Sequence, residues 1–305
     1  APCVDRIDKA GYAELVADPA VDAVYISTPH PFHAEHALLA LRAGKPVLVE
    51  KPAGLTAAQV AAVADVAARA GLLFAEAYMY RCHPQIARLL EILKSGEIGT
   101  PRHIRAQFGF NAGFNPASRL YDRALGGGGI MDVGGYPVSL ARLVAGAAVG
   151  RAFADPVTVK GSGIVGQSGV DEVAYGLLGF AGGFTAEVAC AIARTMDNRA
   201  VIEGDKGRIE LVDPWVPGRN AGPSDATISV TVGGETRVEV LRSPQHLFAF
   251  EAELFSRTIA EGATEAPFPA LSPADSLGNA VVLDRWRAQL AYPNLAAAHQ
   301  ANRAL

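Results

Sequence analysis

Apolar residues between positions 22 and 79 form short continuous runs, separated by segments with the period of an amphipathic helix. Three runs are predicted to be buried β-strands: DAVYIST (22–28), PVLVE (46–50) and LLFAEAYM (72–79). Helices are predicted from Pro31 to Ala43 and from Thr56 to the residue before Gly71, the second opening with a T-A-A-Q capping box. Continuous apolar strands that alternate with helices pair in parallel and are covered on both faces. The pattern predicts a doubly wound, Rossmann-like α/β sheet.

Beyond a helix near residues 85–95, the pattern changes to consecutive strands with few helices between them. Strand-like runs lie at residues 101–110, 157–165, 172–180, 184–193, 199–204 and 227–241. Helices are predicted at residues 129–145, 246–262 and 273–291. This order is typical of an α+β domain with a largely antiparallel sheet. We place the boundary between Tyr80 and Pro84, which gives a nucleotide-binding domain at 1–82 and an α+β substrate and oligomerisation domain at 83–305.

One expected motif is missing. A complete dinucleotide-binding domain opens with a strand, a G-x-G-x-x-G turn and a helix whose N-terminus binds the pyrophosphate. No such motif precedes residue 22, and the first residue is Ala1, so we expect a Rossmann domain that lacks its first β-α-β unit. The glycine-rich run LGGGGIMD (125–132) follows no clear buried strand and carries no Lys-Ser/Thr pair. It is interpreted as a close-packing loop at the start of a helix.

The composition narrows the functional class. The chain has 305 residues, of which 50% are hydrophobic and 19% charged, and a net charge of −4, values typical of a globular protein of two domains. Mild acidity argues against nucleic-acid binding, which normally needs a basic surface. The scattered Cys3, Cys82 and Cys190 favour reduced thiols in a cytoplasmic protein. The longest uncharged stretches, such as residues 173–186, are interrupted by glycines, so no membrane span is predicted.

Lys51 is the first candidate for chemistry, because it follows the apolar run VLVE and precedes Pro52. In open α/β sheets, ligands bind just outside the carboxyl ends of the strands. A partly buried ammonium there can hydrogen-bond a substrate hydroxyl and stabilise the alkoxide that forms as hydride leaves. The alternative is a strand-end lysine that reaches water. Glu50 either orients Lys51 or simply ends the strand.

Asp132 and Tyr136 form the second candidate pair, since residues four apart on a helix share one face. A tyrosine hydroxyl near a cationic amine can act as a general acid or base, because the positive charge lowers its pKa. Alternatively, Asp132 caps the helix after the glycines and the ring of Tyr136 packs in the core. Pro137 argues against a regular helix at this point.

Further polar residues lie near the predicted ligand edge. Arg81 and His83 follow the third strand, and Arg81 either binds a phosphate or sugar hydroxyl or is a surface arginine at a domain hinge. His33 and His36 have no third ligand at a recognisable spacing, so no metal site is predicted. His33 is interpreted as a cofactor neighbour or as a hydrogen-bonded structural histidine.

The chain resembles the glucose-fructose oxidoreductase, inositol dehydrogenase and rhizopine-catabolism (Gfo/Idh/MocA) family of NAD(P)-dependent oxidoreductases. The resemblance rests on four segments in the family's order: STPHPFHAEHALLALRAGKPVLVEKP, EAYMYRCHPQ, GGGGIMDVGGYPVSLARLVAG and IEGDKGRIEL. The D-x-G-x-Y spacing of Asp132 and Tyr136 is most similar to the sugar and dihydrodiol dehydrogenase branch. One departure is His30, which replaces the usual Asn of T-P-N-x-x-H and is expected to have a modest effect.

The resemblance implies that Lys51 is the catalytic lysine, that Tyr136 donates or accepts the proton and that Asp132 lines the substrate pocket. It allows a cis Lys51–Pro52 bond, as in relatives, and an open-faced second sheet that often forms an oligomer interface. Besides Lys51, residues expected along the cofactor are Thr28, Pro29, His33, Glu50 and Pro52, with Arg81 added on its position after the third strand. Residues expected in the substrate pocket are Phe110, Asn111, Asn115 and Arg119.

The predicted function is transfer of hydride between NAD or NADP and a carbinol or carbonyl carbon of a sugar, polyol or cyclic diol. We expect a cytoplasmic homodimer or homotetramer with no nucleic-acid or membrane partner. Two alternatives stay open. One is a non-catalytic nucleotide-sensing relative, which the missing phosphate loop favours, and the other is a glycoside hydrolase that uses tightly held NAD on the same fold.

Overall fold

The computed structural model of the protein describes residues 11–218 and 223–292, in which the chain forms one parallel and one mixed sheet. The α-helices are α1 (Tyr12–Ala17), α2 (His33–Arg42), α3 (Ala57–Ala70), α4 (Pro84–Ser95), α5 (Gly135–Ala148), α6 (Leu247–Ala260) and α7 (Pro273–Arg287). The strands are β1 (Val24–Ile26), β2 (Val47–Glu50), β3 (Phe74–Ala77), β4 (Pro101–Gly109), β5 (Pro156–Val165), β6 (Asp171–Phe180), β7 (Thr185–Ala191), β8 (Arg199–Gly204), β9 (Gly207–Val212), β10 (Ala226–Val232) and β11 (Glu235–Leu241).

The strands β1, β2 and β3 form the parallel sheet in that order. Helices α2 and α3 cover one face, where their apolar side chains pack on Val47, Val49 and Phe74. The opposite face is covered by α6, which lies far along the chain and packs its Phe255 against Leu48. Because both faces are covered, β2 and β3 are apolar except for Glu50 and Glu76, as expected for parallel strands. The predicted doubly wound unit is confirmed.

Helix α3 begins and ends where the sequence predicts. The Oγ1 of Thr56 accepts a hydrogen bond of 3.3 Å from the backbone N–H of Gln59, and Gly71 ends the helix with a left-handed φ of 63°. The reciprocal bond of a capping box is not formed to Thr56, because Gln59 Oε1 accepts from the N–H of Leu55 at 2.7 Å. The predicted capping box is therefore only half formed.

The large sheet has the order β11-β10-β9-β8-β4-β7-β6-β5. Its pairs are antiparallel except β4 with β7, which confirms a largely antiparallel sheet. Two details of the prediction are wrong. The run 227–241 is a hairpin of two strands, turned at Gly233 and Gly234 with φ of 60° and 89°. Strand β9 was not predicted, because only Ile209 and Leu211 mark its buried face.

The segment predicted as one helix at 129–145 is irregular at its start. Residues Ile130–Gly134 form a π-helical turn that leads into α5, and such turns are frequent at functional sites. Every residue of α5 from Gly135 to Gly146 is buried between the large sheet and α7. This helix is therefore part of the core, and its start is held rigidly.

The predicted domain boundary, between Tyr80 and Pro84, lies at the end of the short 3₁₀ segment Met79–Cys82 and stays a prediction. This segment and α4 connect the two sheets. Cys3 lies outside the described residues. None of the helices in the described ranges has both the length and the apolar character that a bilayer crossing requires.

Candidate active site

Lys51 lies at the carboxyl end of β2, and its side chain is 15% exposed. Its Nζ donates a hydrogen bond of 2.7 Å to the backbone carbonyl of Asp132 and lies 3.6 Å from Oδ1 of the same residue. The Lys51–Pro52 bond is cis. Within the described residues both partners of Nζ belong to Asp132. Since an ammonium has three N–H donors, at least one N–H remains for an oxygen atom of a ligand.

Asp132 is buried and bound by two cations. Besides Lys51, the half-exposed Arg119 donates from Nη1 to Asp132 Oδ1 at 3.0 Å. Burial alone would raise the pKa of Asp132, but the charges of Lys51 and Arg119 and the hydrogen bond from Arg119 outweigh it and lower the pKa below its ordinary value. Asp132 is therefore a carboxylate that fixes the Lys51 ammonium.

Tyr136 lies beside the same ammonium, with Lys51 Nζ 5.5 Å from the centroid of its ring. The hydroxyl donates to Sδ of Met79 at 3.3 Å, and the residue is buried. Burial, followed by the negative charges of Glu50 and Asp132, raises the pKa of Tyr136 well above its ordinary value. The expectation that Lys51 lowers this pKa is therefore wrong, because burial and the carboxylates outweigh the ammonium. The hydroxyl stays protonated and is suited to donate a hydrogen bond or a proton.

The glycine run brings Arg119 next to Asp132. The N–H of Gly128 donates to the carbonyl of Leu120 at 2.9 Å, which folds the loop back on itself. A Cβ on Gly127 would lie 2.5 Å from that carbonyl oxygen, and Gly128 has a φ of 108°, so side chains are excluded at both positions. The interpretation as a close-packing loop is confirmed.

His33 connects the ends of β1 and β2. Its Nδ1 lies 2.8 Å from the carbonyl oxygen of Pro52 and its Nε2 lies 2.5 Å from that of Thr28. The residue is 1% exposed, so the ring has no surface to offer a cofactor. The structure thus favours the structural alternative for His33, and its position beside a cofactor stays a prediction. Thr28 is itself bound through Oγ1 to His36 Nδ1 at 3.1 Å.

His30 is a site residue whose importance the sequence did not reveal. It is buried, and its Nδ1 lies 3.1 Å from the carbonyl oxygen of Gly126 in the glycine run. Burial, together with the charges of Lys51 and Arg119, lowers the pKa of His30 to about 4. His30 is therefore neutral near pH 7 and donates to Gly126 through Nδ1. The only sequence signal was the replacement of the family's usual Asn.

Glu50 points to the face of the parallel sheet that α6 covers. Its Oε1 accepts a hydrogen bond of 2.7 Å from the hydroxyl of Tyr25 on the neighbouring strand. From α6, the buried Glu251 approaches the same edge. Burial, followed by the charge of Glu50, raises the pKa of Glu251 to about 8. No pattern in the sequence marked Glu251, which lies some two hundred residues further along the chain.

The prediction for Arg81 is wrong. Its guanidinium is fully buried, donating to Asp275 Oδ2 at 3.0 Å, to Ser139 Oγ at 2.9 Å and to the carbonyl of Pro269 at 2.7 Å. It has no exposed donor for a phosphate. His83 is likewise buried and accepts the N–H of Gln85 at the start of α4. Both residues stabilise the fold, because the chain turns inward directly after β3.

The predicted substrate segment is only partly explained. Asn111 and Asn115 are exposed, and each side-chain oxygen accepts a backbone N–H two residues further on, at 3.0 Å. Such local bonds are typical of Asx turns. Phe110 packs near Tyr121, and Arg119 alone among these residues contacts the Lys51–Asp132 pair. Contacts of the segment with a substrate stay a prediction.

The site fits the nicotinamide end of a dinucleotide. Thr28, Pro29, Glu50 and Lys51 keep accessible surface at the carboxyl ends of β1 and β2, where open α/β sheets bind ligands. In residues 11–218 and 223–292, no G-x-G-x-x-G turn follows β1, β2 or β3, so none of these residues is assigned to the pyrophosphate. The same described residues contain no group of three or more His, Cys, Asp or Glu side chains that could hold a metal ion.

Comparison with protein families finds two matches along the chain. The model described as the GFO/IDH/MocA C-terminal domain matches residues 86–210. The model described as an oxidoreductase family with an NAD-binding Rossmann fold matches residues 3–78.

The individual proteins that are similar to this chain include dehydrogenases and a ketoreductase. Trans-1,2-dihydrobenzene-1,2-diol dehydrogenase of Mus musculus is 36% identical over 206 residues, which are 68% of this chain and only 60% of that enzyme. The enzyme of the same name from Xenopus tropicalis is 30% identical over 287 residues, 92% of this chain and 81% of that enzyme. Among solved structures, a 3-ketoreductase from Actinomadura kijaniata in complex with TDP-benzene and NADP has a TM-score of 0.76 and 28% identity, over 92% of this chain and 81% of that chain.

Proposed function

The chain belongs to the Gfo/Idh/MocA oxidoreductase family, and from that premise we propose that it is an NAD(P)-dependent dehydrogenase acting on a CH–OH group. The substrate class proposed is a cyclic diol, a sugar or another polyol. The related dihydrodiol dehydrogenases support the diol, and the branch that carries D-x-G-x-Y supports the sugar.

One observation carries the proposal: the Lys51 ammonium is fixed by Asp132 at the carboxyl edge of a parallel sheet while one of its N–H donors stays available. An ammonium in this position can bind the oxygen of a carbinol or carbonyl. It stabilises negative charge on that oxygen most strongly when the charge is greatest, at the transition state. Its fixed position means that little reorganisation is needed when the charge develops.

When bound, the nicotinamide supplies the hydride acceptor or donor. Residues of the chain orient the substrate and transfer the proton. Lys51 orients the substrate oxygen, and the Asp132 carboxylate keeps Lys51 charged and in place. Tyr136 donates its proton to the oxygen when a carbonyl is reduced, which leaves a tyrosinate. In the reverse direction the hydroxyl first loses its proton to water, and the tyrosinate then receives the proton of the carbinol as it is oxidised. The raised pKa of Tyr136 favours its protonated form as the resting state.

Cofactor choice is proposed as NAD or NADP. The NADP bound in the related 3-ketoreductase supports NADP as the cofactor. The description of the matching family model, an NAD-binding Rossmann fold, supports NAD. Thr28, Pro29, Glu50, Lys51 and Pro52 are proposed to lie along the nicotinamide and its ribose, as the family resemblance implies.

A homo-oligomer is proposed through the face of the large sheet that α5 and α7 leave open. Tyr175 and Leu177 are 42% and 55% exposed there, beside a shallow depression of about 680 Å³. The depression also contains side chains of both signs, including Lys160 and Glu187, which suits a two-fold contact between identical faces. Sedimentation should find a dimer or tetramer, and Leu177→Glu should dissociate it; a wild-type monomer at all concentrations would contradict this assembly.

The cytoplasm is the proposed compartment. Cys82 and Cys190 have no disulfide partner among the described residues, and burial raises the pKa of both thiols, that of Cys82 to about 12. Such inert thiols are typical of proteins kept in a reducing environment.

Calorimetric titration with NADH and NADPH separately tests cofactor binding, and a turnover screen with dihydrodiols, aldoses and polyols tests the reaction. Binding of either nucleotide with turnover of one substrate class supports the proposal. A folded chain that binds nucleotide but turns over none of these alcohols would contradict it. A chain that binds neither nucleotide would contradict cofactor use by these residues.

A further inference from the structure

Asp171, the first residue of β6, is 1% exposed and lies against the glycine run. Its Oδ2 accepts a hydrogen bond of 2.6 Å from the backbone N–H of Ile130, and its Oδ1 accepts one of 2.9 Å from the hydroxyl of Tyr292. A carboxylate that is almost completely buried and bound by two donors from distant segments connects those segments. Neither the reaction described above nor the family comparison assigns a role to it.

The Ile130 N–H is one of the donors that a helix leaves unpaired at its start. Ile130 opens the π-helical turn that leads into α5, so Asp171 supplies the missing acceptor at this end. The fit is close, because a Cβ on Gly128 would lie 2.3 Å from Asp171 Oδ1. The glycine at this position lets the loop approach the carboxylate.

The start of this turn determines where Lys51 is held. Asp132 is two residues beyond Ile130, and its carbonyl accepts the hydrogen bond from Lys51 Nζ at 2.7 Å. We propose that Asp171 is a positioning residue: by fixing Ile130, its carboxylate sets the place of Asp132 and, through Asp132, of the Lys51 ammonium. This inference rests on the proposed function.

Four groups face the carboxylate from the elements packed on it: the Ile130 N–H, the Tyr292 hydroxyl, Arg287 on α7 and the Cys190 thiol on β7. Burial raises the pKa of Asp171 to about 6, although the hydrogen bonds from Ile130 and Tyr292 and the charge of Arg287 oppose the rise. The pKa values of Tyr292 and Cys190 lie above their ordinary values, and arginine stays charged. Asp171 is thus the group of this set that changes charge near pH 6.

Three variants test the proposal. Asp171→Asn keeps one acceptor oxygen but removes the charge, so kcat should fall about ten- to a hundredfold while KM changes little. Tyr292→Phe keeps Asp171 but removes a hydrogen bond that lowers its pKa, so the acid limb of kcat should move from about pH 6 to higher pH. Asp225→Asn is the control, because Asp225 Oδ1 also accepts a backbone N–H, that of Ser243 at 2.9 Å, and this bond does not involve the turn at Ile130.

Hydrogen exchange of the Ile130 amide provides a readout that needs neither cofactor nor substrate. Exchange should be about fivefold or more faster in Asp171→Asn than in the wild type, and unchanged in Asp225→Asn. An acid limb that keeps its position in Tyr292→Phe, or an Ile130 amide that exchanges at the wild-type rate in Asp171→Asn, would overturn the inference. If the wild type turns over no alcohol, the proposed function fails, and the exchange rates alone decide whether Asp171 holds the turn.

Discussion

The side chain of Lys51 and the backbone carbonyl of Asp132 are joined by a hydrogen bond of 2.7 Å although 81 residues separate them. Lys51 directly follows β2 of the parallel sheet, and Asp132 lies in the turn that leads into α5, which packs on the large sheet. The candidate active site therefore forms only where the end of β2 meets the turn that leads into α5. The two residues of the ion pair come from segments that are distant in the sequence.

Removal of the Tyr136 hydroxyl should lower the rate of the reaction and leave the stability of the fold nearly unchanged. The hydroxyl has Met79 Sδ as its one hydrogen-bond partner within the described residues, so Tyr136→Phe should cost little stability. Loss of the proton donor should lower kcat about 10²- to 10⁴-fold. Steady-state kinetics and urea denaturation measure the two effects. Tyr121→Phe, which removes another buried hydroxyl, is the stability control; unchanged kcat in Tyr136→Phe would exclude the tyrosine from proton transfer.

Arg119→Met should weaken the site through Asp132. The variant removes the donor at 3.0 Å from Asp132 Oδ1 and one of the charges that lower the pKa of this carboxyl. The pKa of Asp132 should rise, and the carboxyl should hold Lys51 less firmly at low pH. We expect a second loss of activity at pH values below the Asp171 limb, and this second loss should occur at higher pH in the variant than in the wild type. A pH–rate profile identical to that of the wild type would contradict this role of Arg119.

Glu76 should make the protein less stable as the pH rises. This residue on β3 is 9% exposed, its Oε1 accepts the N–H of Ala53 at 2.9 Å, and burial raises its pKa from 4.5 to about 7. Between these two values the folded state holds a proton that the unfolded chain has lost. The free energy of unfolding should therefore fall by about 3 kcal/mol from about pH 4.5 to about pH 8 and change little above that because of this group.

Glu76→Gln tests that prediction, because the amide keeps an acceptor for Ala53 and removes the charge. Its stability relative to the wild type should be greatest above pH 7 and smallest near pH 4.5. Urea denaturation at several pH values measures the difference, with the exposed Glu91→Gln as the control. A constant difference between variant and wild type across this range would show that Glu76 titrates normally.

Arg142 should be among the most important residues for stability. It is fully buried on α5, donates to Asp155 at 2.7 Å and to the carbonyl of Asp275 at 2.8 Å, and forms an ion pair with the buried Asp275 carboxylate. Arg142→Met should cost about 3–5 kcal/mol, since it removes one of the two buried arginines that pair with the Asp275 carboxylate and leaves only Arg81. Arg102→Met, which breaks an exposed ion pair with Asp205, should leave the free energy of unfolding nearly unchanged. Equal losses in both variants would contradict this difference.

The sequence predicted the order of strands and helices well, because alternation of apolar runs and helical periods is local. It also placed Lys51 and Asp132 in one site, since each carries a recognisable local motif. Arg81 shows why such reasoning fails for other polar residues. Whether a side chain after a strand faces the ligand edge or the interior depends on its partner, and the partner of Arg81 is Asp275, 194 residues away.

The pKa values of the site residues could not be predicted from the sequence either. The pKa of Tyr136 depends on how completely the surrounding core excludes water, and not on its distance from Lys51 alone. Glu251 and Asp171 reach the site from a distant helix and from the start of a strand, where no motif distinguishes them. Long-range packing decides their roles, and a single sequence does not encode it in any short pattern.

The most direct test compares the wild type with Lys51→Met in the oxidation of dihydrodiols and aldoses, followed by the absorbance of the reduced nicotinamide. Circular dichroism should show the same fold in both, because the side chain of Lys51 is bound only to Asp132 within the described residues. The account predicts that kcat falls at least about 10²- to 10³-fold in the variant. Turnover near the wild-type rate in Lys51→Met would show that the Lys51–Asp132 pair is not the catalytic centre.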